Sequence, residues 1–125
     1  MREILFRGKN FGGEWEYGVP VFTGLNNELA FMKQMHSYDH QVITETVGQF
    51  TGLTDMYGNR VFEGDILSGA WQTRLVVYFD DCCLQYRARE ISPIPRENDI
   101  NYYDNSRLRI IGNIHDNPEL LEVNA

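Results

Sequence analysis

His36 and His40 stand four positions apart, the spacing that puts two imidazoles on one helical face, and on a strand they would also share a face, further apart. The segment reads His-Ser-Tyr-Asp-His and lacks the glutamate that follows the first histidine in zinc metalloproteases. The remaining histidine is His115, so the ligand inventory predicts surface histidines and no metal site. Three acidic pairs, Glu63 with Asp65, Asp80 with Asp81 and Glu97 with Asp99, have the chemistry for acid–base work or for a hard cation. Each falls where a turn is predicted, and short carboxylates are common in turns because they accept backbone N–H bonds. Cys83, His115 and Asp116 supply a nucleophile, a base and an orienting group, but nothing local marks Cys83 as activated. The chain has no phosphate-binding glycine loop, nucleophile elbow or zinc-ribbon spacing. These residues assign no catalytic group, no cofactor and no metal ligand.

The elements that must position such groups are those of one ordinary domain, residues 1–125. The chain is 42% hydrophobic and 23% charged, which excludes wholesale disorder, and 13% aromatic, which favours strands and a packed core. No apolar run approaches the roughly 20 residues of a membrane helix, and the N-terminal apolar run is too short for a signal peptide. Cys82 and Cys83 are adjacent and have no second pair, so no disulfide framework is expected and a reducing bacterial cytoplasm fits. One of the two is expected to face the core and the other the solvent.

The net charge is −7, spread along the chain without an acidic tail or a basic arm. Such a field repels phosphate backbones. Nine of the 11 cations are arginine, the residue of ion pairs and interfaces. A nucleic-acid binder would have to stack bases on Trp71, Tyr78, Tyr86 or Tyr102 and gather Arg74, Arg87, Arg89, Arg107 and Arg109 on one face.

Period-two alternation appears at Ile4–Phe6, at Trp15, Tyr17, Val19 and Val21, and over residues 71–89. The last is an antiparallel hairpin turned at Asp80-Asp81, with Leu84, Tyr86 and Ala88 on one side of the return strand and Gln85, Arg87 and Arg89 on the other. Its inner set is either Leu75, Val77 and Phe79 or Val76 and Tyr78. Pro20 and the strand pattern mark 2–7 and 14–23 as edges, which invite pairing with another chain. Residues 25–45 read as irregular strands, 51–59 and 92–105 as loops, and Leu108–Ile111 as a last strand closed by Gly112. Asn117-Pro118-Glu119 places an N-cap, a first-turn proline and a first-turn acid at a short C-terminal helix. The sum predicts a mostly β fold, a small antiparallel barrel-like domain.

Residues Gln49 to Leu67, Gln-Phe-Thr-Gly-Leu-Thr-Asp-Met-Tyr-Gly-Asn-Arg-Val-Phe-Glu-Gly-Asp-Ile-Leu, resemble the central signature of the YopX family, small proteins of phages, prophages and their bacterial hosts. The opening Met1–Arg7, the stretch Glu45-Thr46-Val47-Gly48 and the ending Ile110–Leu121 resemble the corresponding parts of that family. Phe50 stands where the family usually has Tyr, and Gly58-Asn59 replaces Asn-Gly. The resemblance implies a mostly β, YopX-like domain and carries over no catalytic residues. Thr51-Gly52 and Glu63-Gly64-Asp65 read as bends, with Glu63 and Asp65 as the residues to watch for a role beyond structure.

Composition and resemblance together lead to a phage or prophage accessory protein, non-enzymatic, that binds another protein or associates with itself as a homo-oligomer. The alternatives are a nucleic-acid-binding β-barrel, which the charge disfavours, and an acidic decoy that mimics nucleic acid. No membrane partner is expected.

Overall fold

The computed structural model describes residues 3–34, 38–69, 72–93, 95–100 and 107–123. The chain forms two compact units, residues 1–50 and 51–125. The fold is mostly β, in two antiparallel sheets with short 3-10 turns between strands. The mostly β expectation holds, but neither sheet closes into a barrel: each is a linear series of strands with two ends.

In the first unit, β1 (Phe6–Lys9), β2 (Trp15–Thr23), β3 (Leu29–Lys33), β4 (His40–Val42) and the start of β5 (Gly48–Thr54) lie in the order β4-β3-β2-β1-β5. The described residues of 25–45 thus contain short strands and 3-10 turns, as their broken alternation predicts; residues 35–37 lie outside the described residues. Ala30, Met32 and Val42 form a buried cluster with Phe6 and Val47 against it. Neither β1 nor β2 is a sheet edge, contrary to the reading of 2–7 and 14–23. The register explains how Pro20 is nonetheless tolerated. Residues 15–18 of β2 pair with β1 and residues 19–23 pair with β3, so Pro20, which has no N–H to donate, lies where β2 has one neighbour and one side of the strand carries no ladder. The changeover occurs at Gly18, where a side-chain Cβ would overlap the Lys33 carbonyl oxygen.

In the second unit, the rest of β5 carries β6 (Arg60–Phe62). A five-stranded sheet follows from β7 (Asp65–Ser68), β8 (Arg74–Asp80), β9 (Gln85–Glu90), β10 (Glu97–Asp99) and β11 (Arg109–Asn113), in the order β10-β9-β8-β7-β11. One face buries Leu67, Leu75, Val77 and Ala88 together with Val61, Ile100 and Leu108. Each of these Leu, Val and Ile side chains contributes about 1.5–3 kcal/mol by leaving water. The inner set of the hairpin is thus the odd-numbered one, Leu75 and Val77 facing Ala88, with Tyr86 packed against the cluster and its ring centroid 5.1 Å from that of Phe79.

Several local expectations change. Leu84 is not on the hairpin face: it sits in the turn at φ 54° and is 77% exposed. Both cysteines are exposed, because the same turn holds them clear of the sheet. The loop read at 51–59 is shorter, since β5 continues through Gly52 to Thr54 and the Thr51 hydroxyl donates to the Val61 carbonyl at 2.8 Å. The stretch 92–105 contains β10, paired with β9, among its described residues. The last strand runs through Gly112 by means of a bulge between Ile110 and Gly112. The C-terminal helix is a 3-10 turn, Pro118–Leu121, and Asn117 does not cap it: its side-chain oxygen accepts the Asn113 N–H instead, at 3.2 Å.

Candidate functional site

The family-like segment is built from carboxylates and amides that accept backbone N–H groups. Asp55 opens the turn between β5 and β6. Its Oδ1 accepts the N–H of Tyr57 and of Asn59, both at 2.9 Å. Its Oδ2 accepts the N–H of Ile110 at 3.1 Å, tying the turn to β11, and the Asn59 side-chain N–H at 3.4 Å. Burial pushes this carboxyl up, but the hydrogen bonds from Ile110, Asn59 and Tyr57 outweigh it and hold the pKa below the ordinary value. The exchange of Asn-Gly for Gly58-Asn59 is accommodated because Gly58, at φ 82°, takes the left-handed position and donates back to the Asp55 carbonyl at 3.0 Å. The Asp55 role was not read from the sequence. An aspartate followed three residues later by glycine, between two β-rich runs, is the signal that would have found it.

Asp65 is 1% exposed, and its Oδ2 accepts the Phe62 N–H at 2.7 Å. Glu63 is half-buried at the same bend. Gly64 between them donates to the Val77 carbonyl at 2.8 Å and accepts from Ile114 at 2.9 Å. Asn113 Oδ1 accepts the N–H groups of His115 and Asp116, at 3.0 and 2.9 Å, and its amide donates to Asp116 at 3.0 Å. Asp55, Asp65 and Asn113 thus hold turns, and Asp65 has a structural bond rather than an open position.

The other sequence candidates do not converge. His40 Nδ1 lies 3.4 Å from Glu16, which also accepts from Asn10 and Gln34; His36 lies outside the described residues. Among the described residues no three His, Cys, Asp or Glu side chains come together as metal ligands. Cys83 is in the β8–β9 turn, where Asp80 Oδ1 accepts the Cys82 and Cys83 N–H groups and Arg87 Nη1 lies 3.9 Å from Cys83 Sγ. The Cys82 N–H bond is the main cause holding the Asp80 carboxyl below its ordinary value. His115 instead lies beside Gly64, which bonds to Val77, three residues down β8 from Asp80 and so about 10 Å from the turn at strand spacing. Cys83, His115 and Asp116 therefore form no relay.

Tyr78 and Tyr86 project from opposite faces of the five-stranded sheet, so they cannot form one stacking platform; Trp71 and Tyr102 lie outside the described residues. Tyr78 donates to Glu97 at 3.0 Å, and burial together with that carboxylate raises its phenol pKa. The side chain of Asp99 is likewise outside the described residues.

Two surfaces stand out among the described residues. In the first unit, the face of the sheet opposite the buried cluster carries Val19 and Val21 beside Lys33 and Phe31 of β3, with Tyr17 further along β2. Tyr17, Val19 and Val21 are 47%, 52% and 43% exposed, a contiguous row of apolar side chains on one strand. Trp15 closes the row, with the Arg7 guanidinium 4.4 Å and the Lys9 ammonium 5.6 Å from its ring centroid.

In the second unit, the outer face of the five-stranded sheet gathers arginines. Residues directly opposite in an antiparallel pair share a face. Arg109 opposes Ser68, Ser68 opposes Arg74, Val76 opposes Arg89 and Tyr78 opposes Arg87, so all four arginines lie on the face away from the core. Arg87 Nε is 3.7 Å from Asp80 and Arg89 Nε is 3.7 Å from Glu97. Arg74 donates to the carbonyls of Leu120 and Glu122, at 2.6 and 2.8 Å, and holds the C-terminal segment across the face. Beside it is a cleft of about 560 Å³.

Fold and site together describe an all-β protein whose recurrent polar residues hold turns. The family model described as YopX protein matches residues 21–122, and the chain belongs to that family. No curated protein matches the sequence.

Proposed function

We propose that the protein is a non-enzymatic, protein-binding accessory module of a phage or prophage, acting in the bacterial cytoplasm, and that it docks through the open apolar face of its first unit. The observation that carries this reading is the row Tyr17, Val19 and Val21, exposed on a sheet face whose opposite side already holds the buried cluster. Three successive solvent-side residues of a strand that are all apolar, as Tyr17, Val19 and Val21 are, depart from the usual one-wet-face pattern, and contiguous apolar patches of this kind mark interaction sites. The simplest occupant is a second copy of the chain, since closed homo-oligomers are the common way to bury such a face. Lys9 and Lys33, the two lysines of the chain, lie at the margin of the row and favour an occupant with carboxylates at the matching positions.

The nucleic-acid alternative has less support. Four of the five required arginines do share a face, but three of them are engaged with carboxylates or carbonyls, the aromatic platform is split between faces, and the net charge is −7. The decoy alternative lacks a separated acidic surface in the sequence to argue from.

Light scattering behind a sizing column tests the reading, on the native chain and on a Val19→Asp/Val21→Asp variant. Expected is a concentration-dependent rise above 14.6 kDa that the variant abolishes, or a host protein retained by the native chain and lost by the variant. A 14.6 kDa species up to about 100 μM, with identical host proteins retained by both chains, would end it.

A further inference from the structure

We propose that the cleft on the outer face of the five-stranded sheet is a second docking site, for an acidic, aliphatic peptide segment of another protein, with Arg109 taking a carboxylate of that segment. This site is in the second unit and does not depend on the apolar face of the first.

The cleft is formed where β7, β8 and β11 meet the residues after β9. Arg74, Ser68 and Arg109 stand in one row across three strands, so two guanidinium groups flank a hydroxyl at its floor. Ile91, Pro93 and Ile111 supply an aliphatic wall, and among the described residues no aromatic side chain lines it, a lining that suits a peptide. Glu90 also borders the cleft, but it opposes Leu75 in the ladder, so its side chain is carried on the other face of the sheet.

The face already holds a segment of this chemistry in cis. Arg74 donates to the main-chain carbonyls of Leu120 and Glu122, within the acidic and aliphatic run Glu119-Leu120-Leu121-Glu122-Val123. Main-chain recognition demands no particular side chain, so the same face can continue the pairing with a second extended segment. Val123 lines the cleft at the end of this run.

Arg109 decides the charge of the ligand. Arg87 and Arg89 are each beside a carboxylate, and Arg74 is committed to two carbonyls. The exposed Arg109 side chain has no hydrogen-bond or ion-pair partner among the described residues. A planar guanidinium in that state takes a carboxylate by two parallel N–H bonds. Of the four arginines on this face, Arg109 is the one without a side-chain partner among the described residues, and a single such cation in a chain of net charge −7 matches a single carboxylate and not a polyphosphate strand.

The test is fluorescence anisotropy on the full chain with a fluorescein-labelled peptide Leu-Glu-Leu-Glu-Val, its counterpart with Gln for both Glu, and a labelled oligothymidine. Expected is saturable binding of the acidic peptide, weakened about tenfold by Glu-to-Gln replacement in the peptide and by Arg109→Gln, a loss equal to one charge-assisted contact. Ser68→Glu, which places a carboxylate beside Arg109, should abolish binding, and Arg89→Gln should leave it unchanged. Circular dichroism and melting temperature confirm that each variant is folded. The proposal is overturned by no saturable binding up to about 1 mM peptide. Equal binding of both peptides, an unaffected Arg109→Gln variant, or binding of the oligothymidine alone would overturn it equally.

Discussion

Replacing Asp55 tests whether the family-like segment is held together by a buried carboxylate. Asp55 is 6% exposed and accepts three backbone N–H groups and one side-chain amide. Tyr57 and Asn59 are exposed, so their N–H groups find water when the carboxylate is removed; the Ile110 N–H, on half-buried β11, is left with poorer access. A hydrogen bond to a charged group is worth about 1.5–3 kcal/mol, and an unsatisfied buried donor costs about 1–3 kcal/mol. Asp55→Ala should therefore lower stability by about 2–4 kcal/mol. Asp55→Asn keeps one accepting oxygen for Tyr57 and Asn59 but turns an NH₂ toward the Ile110 donor, and should cost about 1–2 kcal/mol.

Urea unfolding at neutral pH measures both, with an unchanged slope showing that the same surface is exposed. The pH dependence gives an independent check. The folded-state pKa lies below the ordinary carboxylate value of about 4, so the carboxylate's contribution is complete above that pH and is lost as the pH falls through the folded value. The gap between native and Asp55→Asn chains should thus close in acid. Hydrogen exchange at Ile110 should accelerate in both variants. An Asn variant within about 0.5 kcal/mol of the native chain at neutral pH refutes the reasoning, as does a gap that persists undiminished well below pH 4.

Three further outcomes follow from the same structure. Leu75→Ala, at a side chain with no exposed surface, should cost about 2–5 kcal/mol, while Val76→Ala on the outer face should cost clearly less; equal costs in urea unfolding would reverse the assignment of the hairpin faces. Gly18→Ala should destabilise by more than the ordinary about 1 kcal/mol strand penalty, because the added methyl meets the Lys33 carbonyl, and thermal unfolding that shows no change would deny the close approach of β2 and β3. Leu84→Gly should be neutral or stabilising by up to about 1 kcal/mol, since Leu84 is exposed at positive φ; a loss above about 1 kcal/mol in melting experiments would place Leu84 in a packed site.

The local character of each strand was legible in the sequence. Alternation at Trp15, Tyr17, Val19 and Val21, over residues 74–80 and over residues 85–89 survives into β2, β8 and β9, because side-chain period is a property of the strand itself. The bend at Glu63-Gly64-Asp65 was legible for the same reason: Asp65 reaches a backbone N–H only three residues away. What the strands do to one another was not legible. Pro20 announces a strand with one neighbour, yet only the pairing shows that β2 changes partners at Gly18 and is interior to its sheet. Cys82, Cys83 and Leu84 continue an apolar pattern in the sequence, but a four-residue turn takes them out of it. Asp55 is a turn residue by composition, while its tie to Ile110 spans 55 residues and depends on strand order. The gathering of Arg74, Arg87, Arg89 and Arg109 on one face, and the separation of Tyr78 from Tyr86, likewise come from inter-strand register, where a shift of one residue would send every side chain to the opposite face.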